Sequence, residues 1–280
     1  MKFDVISLYT VGSLGMSATE TADIGIIGGT GVYDQESFED VKEIKVFTPF
    51  GETSDLVSVG RYRNIRVAFI PRHGRNHTIP PHRVNYRANV WALKQLGVKR
   101  IIASAAVGSL REGWGPGTFV IPDQFIDRTK KRLDTFYEGR QVCHISTADP
   151  FCGQLRDFFI KTAQKLGFDV KESGTYVCIE GPRFSTRAES RLFQMWKADV
   201  VGMTLYPECV LAREAELCYV SISIVTDYDV WAESPVSTKE VIEKAHKSNE
   251  DLKKLILEAL PQIPKTRDCK CGSALKDALM

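Results

Sequence analysis

The chain has 280 residues, of which 43% are hydrophobic and 26% are charged, as in ordinary globular proteins. Its formal net charge of +2 argues against a nucleic-acid partner, and no apolar run approaches the roughly 18 residues that cross a bilayer. Seven scattered cysteines without a Cys-x-x-Cys pair disfavour a secreted disulfide framework and a zinc site. We therefore expect a cytoplasmic protein without a metal ion or a membrane partner.

Residues 1–22 are interpreted as an N-terminal extension. The segment has a mildly apolar middle, but Asp4 interrupts it and Lys2 is its only flanking cation. Met16 also comes just before the first convincing strand. These features favour a dispensable extension over a signal peptide.

Apolar strand-like runs alternate with amphipathic helical runs in residues 23–264, without a repeat or a linker, which predicts one α/β domain. Residues at helical spacing recur in three segments, 86–96, 155–166 and 188–195. Strands are predicted at Ile24–Ile27, Ile65–Ile70, Arg100–Ala105, Asp199–Gly202 and Tyr219–Val225.

Two sequence patterns mark where helices begin. Thr186 with Glu189, and Ser237 with Glu240, have the spacing of capping boxes. The last helix is predicted to end near Leu260, because two prolines follow closely.

Residues 265–280 are expected to form a mobile or partner-dependent tail. They contain Cys269 and Cys271, and two interpretations of this pair stay open. The cysteines are either exposed thiols on a loose end or a redox or stabilising pair.

Five groups of glycine and polar residues come at or just after the ends of predicted strands. Ligands of such sheets gather at the carboxyl ends of the strands, so this shared position predicts a binding site. The groups are Gly28–Gly31, Pro71–His77, Ser104–Ser109, Gly202–Thr204 and Thr226–Asp229.

The first two groups have the chemistry of an anion site. The stretch IGIIGGTGVYD fails the dinucleotide pattern because Asp34 takes the place of its third glycine. Its backbone N–H groups and the Thr30 hydroxyl suit a small anion instead. Arg72 and His73 add a guanidinium that can grip an oxyanion in bidentate fashion and an imidazole donor, although a surface basic cluster stays an alternative.

The last group holds two carboxylates, Asp227 and Asp229, just past a strand end. A neighbouring carboxylate raises the proton affinity of a carboxyl group, which suits a general acid. A turn with solvated side chains is the plainer alternative. A metal-binding pair comes third, because no further ligand cluster is evident to complete such a site.

In chain order, the motifs GIIGGTG, TPFG, RHGRNHT, NYRAN, GSLRE, FIDRT, EGPRFSTRAES, ADVVGMT, PE and TDYD resemble the 5′-methylthioadenosine phosphorylase family. That family belongs to the trimeric branch of the purine nucleoside phosphorylases. The resemblance covers about Ile24 to Ile263 and leaves out the N-terminal extension and the tail. It implies a nucleoside phosphorylase-like α/β fold, a single domain with a central mixed β-sheet flanked by helices.

The resemblance also implies a reaction. Such an enzyme, a pentosyltransferase, cleaves S-methyl-5′-thioadenosine with inorganic phosphate to adenine and 5-methylthioribose 1-phosphate, in methionine and purine salvage. Phosphate is a co-substrate, and no cofactor is needed. A homotrimer or a dimer of trimers is expected.

The resemblance assigns the phosphate to one set of matching residues. These are Thr30, Arg72, His73, the backbone at Ala105 and Ala106, and Thr204. Among the residues for the nucleoside, Met203 is assigned to the ribose and Phe184 to the purine. Asp227, with Tyr228 and Asp229, faces the base, and Asp227 is the general acid. His77, Val236, Thr238 and, across a subunit boundary, His144 are assigned to the 5′-methylthio group.

The aspartates predict a preference for adenine, since a carboxylate accepts from a 6-amino group and repels a 6-oxo group. Three alternatives stay open. They are a broader purine nucleoside phosphorylase that also uses adenosine, inosine or guanosine, a phosphomonoesterase with His73 as nucleophile, and a catalytically silent nucleoside-binding relative.

Overall fold

The structure, a computed structural model, describes residues 21–29, 37–231 and 238–280, with only the backbone of residues 238–248. The described residues form one mixed sheet of 11 strands. The strands are β1 (Ile24–Gly28), β2 (Glu39–Ile44), β3 (Val57–Tyr62), β4 (Ile65–Pro71), β5 (Arg100–Ser109), β6 (Phe119–Val120), β7 (Gln124–Arg128), β8 (Val170–Lys171), β9 (Thr175–Ile179), β10 (Val200–Gly202) and β11 (Cys218–Asp227).

Helices cover both faces of the sheet. They are α1 (Tyr86–Gln95), α2 (Gly153–Lys165), α3 (Arg187–Met195), α4 (Glu208–Glu214) and α5 (Thr238–Ala259). Successive side chains of a strand point to opposite faces, so Ile26 packs with α2 and α5 while Ile27 packs with α1 and α4. In the parts of the chain that are described, no helix is both long and apolar enough to span a membrane.

The main path through the sheet runs β2-β3-β4-β1-β5-β10-β9-β7. β1 is parallel to β4 and β5, β9 is parallel to β7 and β10, and β10 is antiparallel to β5. β11 lies along the other edge of β5 in parallel. The expectation of a single domain with a mixed central sheet flanked by helices is therefore confirmed.

β5 has two neighbours on one edge and a gap between them. β1 pairs with the start of β5, up to Ile27 opposite Ala103, and β10 pairs with its end, at Gly108 and Ser109. Within the described chain, Ser104–Val107 have no strand partner on this edge. The gap is thus a stretch of strand edge whose polar backbone is available to a ligand.

All five predicted strands and all three helical segments are present. β5 continues to Ser109, beyond its predicted end. The capping box of Thr186 and Glu189 opens α3, with both of its hydrogen bonds formed. Ser237, the proposed cap of the last helix, lies outside the described residues.

The expectation of a mobile tail is wrong in the structure, because residues 265–280 pack on the body. Arg100 donates a 2.6 Å hydrogen bond to the carbonyl of Thr266, and Arg267 donates to the carbonyl of Glu216. The N–H of His144 donates to the carbonyl of Ala278 at 2.8 Å. These bonds, the burial of Ala278 and the partial burial of Leu275 and Leu279 fix the segment.

Candidate active site

The carboxyl ends of two strands converge on the gap in β5 from opposite directions. β1 runs parallel to β5 and delivers Gly28 and Gly29 to one end of the gap. β10 runs antiparallel to β5 and delivers Met203 and Thr204 to the other end. Between them, Ala105 is half-buried and Ala106 is exposed, so a small ligand can reach this stretch of the strand.

Arg72 supports this gap from within the core. It follows β4 directly, and its guanidinium donates through Nη1 to the carbonyl of Ser104 at 2.8 Å and through Nη2 to that of Ile27 at 3.3 Å. The same guanidinium forms a bidentate pair with Glu208 at the start of α4, with both distances 2.8 Å. Tyr219 donates a further hydrogen bond to Glu208.

The sequence predicted that Arg72 binds an oxyanion in bidentate fashion. In the structure its bidentate partner is Glu208. Both side chains are buried, at 3% and 0% exposure. Burial alone lowers the pKa of Arg72, but the charge and hydrogen bonds of Glu208 raise it overall. Four of the five N–H groups of Arg72 have partners among the described residues, which leaves one on Nη1 for a ligand.

His73 is buried beside Arg72 and neutral at pH 7. Burial, followed by the positive charge of Arg72, lowers its pKa to about 4. Its Nδ1 lies 2.8 Å from the carbonyl of Ile79, so Nδ1 carries the proton and Nε2 accepts. The ring offers an acceptor in the free protein, and this corrects the expected donor. The ring of His77 lies 4.5 Å away between centroids and is exposed.

The segment after β10 places Met203 and Thr204 next to the loop that follows β9. Gly181, with φ +65°, lies so close that a Cβ there would be 2.6 Å from the Met203 sulfur. Gly202 likewise leaves no room for a side chain, since a Cβ would lie 1.9 Å from the hydroxyl oxygen of Tyr176. Thr204 is buried, at 8% exposure. These close approaches fix the two residues that the resemblance assigns to ribose and phosphate.

Arg132 holds the loop after β9 in place. It donates through Nη2 to the carbonyls of Ile179 and Glu180, at 3.2 and 2.8 Å, and through Nη1 to the carbonyl of Tyr206. Its Nε also pairs with the Glu180 carboxylate at 3.2 Å. Phe184 follows this clamped segment and is 40% exposed, so its ring is available to stack on a ligand.

Asp227 ends β11 at a bulge. Val225 pairs with Val107 and Asp227 with Gly108, so Thr226 is the extra residue that turns the carboxylate of Asp227. This carboxylate accepts a hydrogen bond from the Thr226 hydroxyl and another from the N–H of Asp229, both at 2.8 Å. Gly108 makes the approach possible, because a Cβ there would lie 2.9 Å from Asp227 Oδ1.

Asp229 is the carboxyl group of the pair that is shown to keep its proton to a higher pH than an ordinary aspartic acid. It is 4% exposed, and burial raises its pKa to about 6; the nearby Ser190 side chain opposes this shift and the charge of Asp227 adds to it. Its backbone has φ +49°, an uncommon conformation for a residue other than glycine. Its Oδ2 has no hydrogen-bond partner among the described residues. Buried polar atoms ordinarily have a hydrogen-bond partner, so this oxygen is a candidate for contact with a ligand.

The other predicted site residues divide into three groups. Thr30 and Val236 lie outside the described residues, and Thr238 begins α5 with a side chain that is not described. The Tyr228 ring packs near Gly115 and on Trp231, next to the aspartate pair. His144 is exposed and lies beside the tail.

Sequence reasoning missed three residues that shape the site. Glu208 appeared in the motif PE but received no role, and its partnership with Arg72 spans 136 residues. Arg132 had no signal, since it is one basic residue among several in FIDRTKKR. Gly108 was within the motif GSLRE, and its tolerance of close contact could have been suspected from its place at a strand end.

A family model described as the phosphorylase superfamily matches residues 23–261. The chain belongs to this superfamily. A curated relative, the S-methyl-5′-thioadenosine phosphorylase of Thermofilum pendens, is 55% identical over 261 residues, covering 93% of this chain and 100% of the relative.

Solved structures of superfamily members match the fold closely. A methylthioadenosine phosphorylase from an antarctic soil metagenomic library superposes with a TM-score of 0.88 and 41% identity, covering 93% of each chain. A variant of the adenosine/methylthioadenosine phosphorylase of Schistosoma mansoni, in complex with methylthioadenosine, has a TM-score of 0.85 and 42% identity. That match covers 91% of this chain and 96% of the other. The family resemblance inferred from the sequence motifs is confirmed.

Proposed function

We propose that this phosphorylase-superfamily protein cleaves S-methyl-5′-thioadenosine with inorganic phosphate, releasing adenine and 5-methylthioribose 1-phosphate. The proposal rests mainly on the position of two sites on the same strand, β5: one suits an anion and the other carries two carboxyl groups. An anion-sized gap opens at Ala105 and Ala106, and the aspartate pair contacts the same strand at Gly108. The curated relatives carry this activity in their names.

The phosphate is proposed to bind in the gap. One backbone N–H of the Ala105–Ala106 stretch, the Thr204 hydroxyl and the remaining Nη1 N–H of Arg72 are the available donors. Neutral His73 accepts from a protonated phosphate oxygen through Nε2. Thr30 joins this set by resemblance alone. Preorganised donors of this kind hold the attacking oxygen under C1′ of the ribose.

In the reaction, a phosphate oxygen forms a bond to C1′ while the C1′–N9 bond breaks. The electron pair of that bond moves into the purine, and N7 takes a proton. Asp229 is proposed as the donor, because its carboxyl group holds a proton at higher pH than an ordinary aspartic acid. Asp227 accepts from the 6-amino group of adenine. Met203 lies along the ribose and Phe184 packs on the purine.

A comparison of substrates tests the proposal. The purified protein is assayed for release of the free base from methylthioadenosine, adenosine and inosine, with and without phosphate. We expect release of adenine only with phosphate, and a kcat/KM for inosine at least ~100-fold lower, because a site built to bind an amino group rejects its replacement. Equal use of inosine contradicts the assignment of Asp227 and supports the broader purine phosphorylase. Release without phosphate contradicts phosphorolysis itself.

We further propose that the protein is a cytoplasmic homotrimer or dimer of trimers. Exposed apolar side chains support assembly, among them Phe47 at 78% and Met195 at 77% exposure. No disulfide joins any of the seven cysteines in the structure, which fits a reducing compartment. Light scattering of the purified protein measures its mass, and a monomer at micromolar concentration contradicts this assembly.

A further inference from the structure

One side chain joins the chain segments that follow three neighbouring strands, β7, β9 and β10. β9 pairs in parallel with both of the others, so the carboxyl ends of the three strands lie side by side. Arg132 comes from the segment after β7. Its guanidinium donates to the carbonyls of Ile179 and Glu180, at the end of β9, and to the carbonyl of Tyr206, after β10. Arg132 therefore fixes these segments relative to each other.

Glu180 in turn holds the segment that carries Arg132. Its carboxylate accepts hydrogen bonds from the backbone N–H groups of Lys130 and Lys131 and pairs with Nε of Arg132 at 3.2 Å. Burial alone raises the pKa of Glu180, but the N–H of Lys130 and the Arg132 side chain lower it overall, so the carboxylate is ionised at neutral pH. The Arg132 side chain is 2% exposed, and its guanidinium lies 5.3 Å from the centroid of the Tyr86 ring. Partners on several sides thus leave the guanidinium one orientation.

The segments held by Arg132 carry the two residues assigned to the two halves of a nucleoside. Phe184 follows the end of β9, and Met203 directly follows β10. The segments touch at Gly181, where a Cβ would lie 2.6 Å from the Met203 sulfur. The Phe184 residue is 40% exposed, so the position of its ring depends largely on the backbone that carries it. Arg132 fixes that backbone before Phe184 and after Met203.

We propose that Arg132 is a positioning residue of the nucleoside site, an inference that rests on the function proposed above. It acts through backbone carbonyls, keeping Phe184 and Met203 at the separation that a purine and its attached ribose require. Misplacement of a bound group by about 1 Å costs up to ~10² in rate, so this separation matters for turnover as well as for binding. Lysine is not an equivalent, because its ammonium lacks the planar fork that serves several acceptors at once.

Adenine binding tests the proposal without requiring turnover. Calorimetry measures the Kd of adenine for the wild type, Arg132→Met, Phe184→Ala and the double variant. We expect each single substitution to weaken binding about 10-fold, as for the loss of a good aromatic contact. The double variant is expected to bind about as weakly as Phe184→Ala alone, because Arg132 has no ring to position once Phe184 is truncated.

Arg156→Met is the matched control. Arg156, on α2, also donates to three backbone carbonyls, those of Ile121, Pro122 and Glu172, but these lie outside the proposed site. Its loss is expected to lower the stability of the protein, as the loss of Arg132 does, and to leave the Kd of adenine unchanged. The control therefore separates positioning of the ligand from general support of the fold.

Three results overturn the proposal. They are an unchanged Kd of adenine in Arg132→Met, an equal weakening in Arg156→Met, and losses that multiply in the double variant. If Arg132→Met fails to fold, Arg132→Lys takes its place in the same cycle. A wild-type protein that binds adenine but releases none from methylthioadenosine and phosphate contradicts the proposed function alone, because the cycle of Kd values still decides the role of Arg132. A wild-type protein that does not bind adenine contradicts both proposals.

Discussion

Asp227 and Asp229 are two residues apart, but their carboxyl groups have different surroundings. Asp227 accepts two hydrogen bonds from its own turn, whereas Asp229 is buried and one of its oxygens has no hydrogen-bond partner among the described residues. The sequence indicated the pair as an acid site and favoured Asp227 as the donor of the proton. It could not distinguish the two, because the difference arises from burial and from the turn at φ +49°.

Asp229→Asn is expected to lower kcat/KM for methylthioadenosine by about 10²–10⁴, the usual contribution of a general acid. In the wild type, activity falls as pH rises through about 6, where Asp229 loses its proton. The variant is expected to lack this limb of the pH profile. The matched variant Asp227→Asn loses rate through weaker binding of the 6-amino group but retains the limb. If the fall of activity with rising pH is unchanged in Asp229→Asn and absent in Asp227→Asn, then Asp227 is the general acid.

At the scale of elements, the strand pair β5 and β11 carries the site. The bulge at Thr226 turns Asp227 toward β5, and Gly108 leaves space for it there. β1 delivers Gly28 from one side of the gap, and β10 delivers Met203 from the other. A substitution in one of these strands is therefore expected to change the catalytic rate even when it leaves the reacting groups themselves unaltered.

Gly108→Ala is expected to displace Asp227, because its Cβ would lie 2.9 Å from Oδ1 of that carboxylate. Overpacking of this kind costs typically about 1–3 kcal/mol of stability. The variant should fold and lose at least ~10-fold in kcat/KM, since misplacement of about 1 Å costs up to ~10² in rate. Gly139→Ala is the control, as nothing lies within 4 Å of its added Cβ. Full activity in Gly108→Ala contradicts the role of this contact.

The strands that sequence predicted are those with continuous apolar runs. β1 and β11 are buried on both faces, and their composition reveals them. β2, with the sequence EDVKEI, is exposed and carries charges typical of a loop, so it is recognised only by its pairing with β3. β8 has two residues and no pattern at all. Such strands form because they pair with other strands, and the local sequence pattern carries no information about that pairing.

For the molecule as a whole, the raised pKa of Asp229 links function to stability. The folded pKa of about 6 lies above the ordinary value of 3.8. Protonation therefore favours the folded state, and this stabilisation is complete below pH 3.8 and lost as pH rises through 6. At neutral pH the ionised Asp229 is a cost to the fold.

Asp229→Asn is expected to gain stability relative to wild type as pH increases. Between pH 4 and pH 7 the difference in unfolding free energy between the two should change by about 2 kcal/mol in favour of the variant. Denaturant unfolding at several pH values measures this difference. Because other titrating groups are common to both proteins, they cancel. A difference that is independent of pH contradicts the raised pKa.

Long-range partnerships were the part of the molecule that sequence could not predict. Glu208 neutralises Arg72 from 136 residues away, and Cys218 meets Cys269 from 51 residues away. The spacing of the cysteines along the chain matches no local ligand pattern, so the sequence did not predict that the tail packs on the body. The order of the motifs identified the family because many motifs match together. It does not give the geometry of any contact between them.

The gap in β5 has a consequence for how the sheet resists misassembly. An unpaired strand edge ordinarily recruits a foreign strand, but in the part of the chain that the structure describes this edge is confined to Ser104–Val107 and lies between β1 and β10. It is too short to admit a polypeptide and long enough to admit an anion. An anion bound there would therefore occupy the stretch of strand edge that β1 and β10 leave unpaired among the described residues.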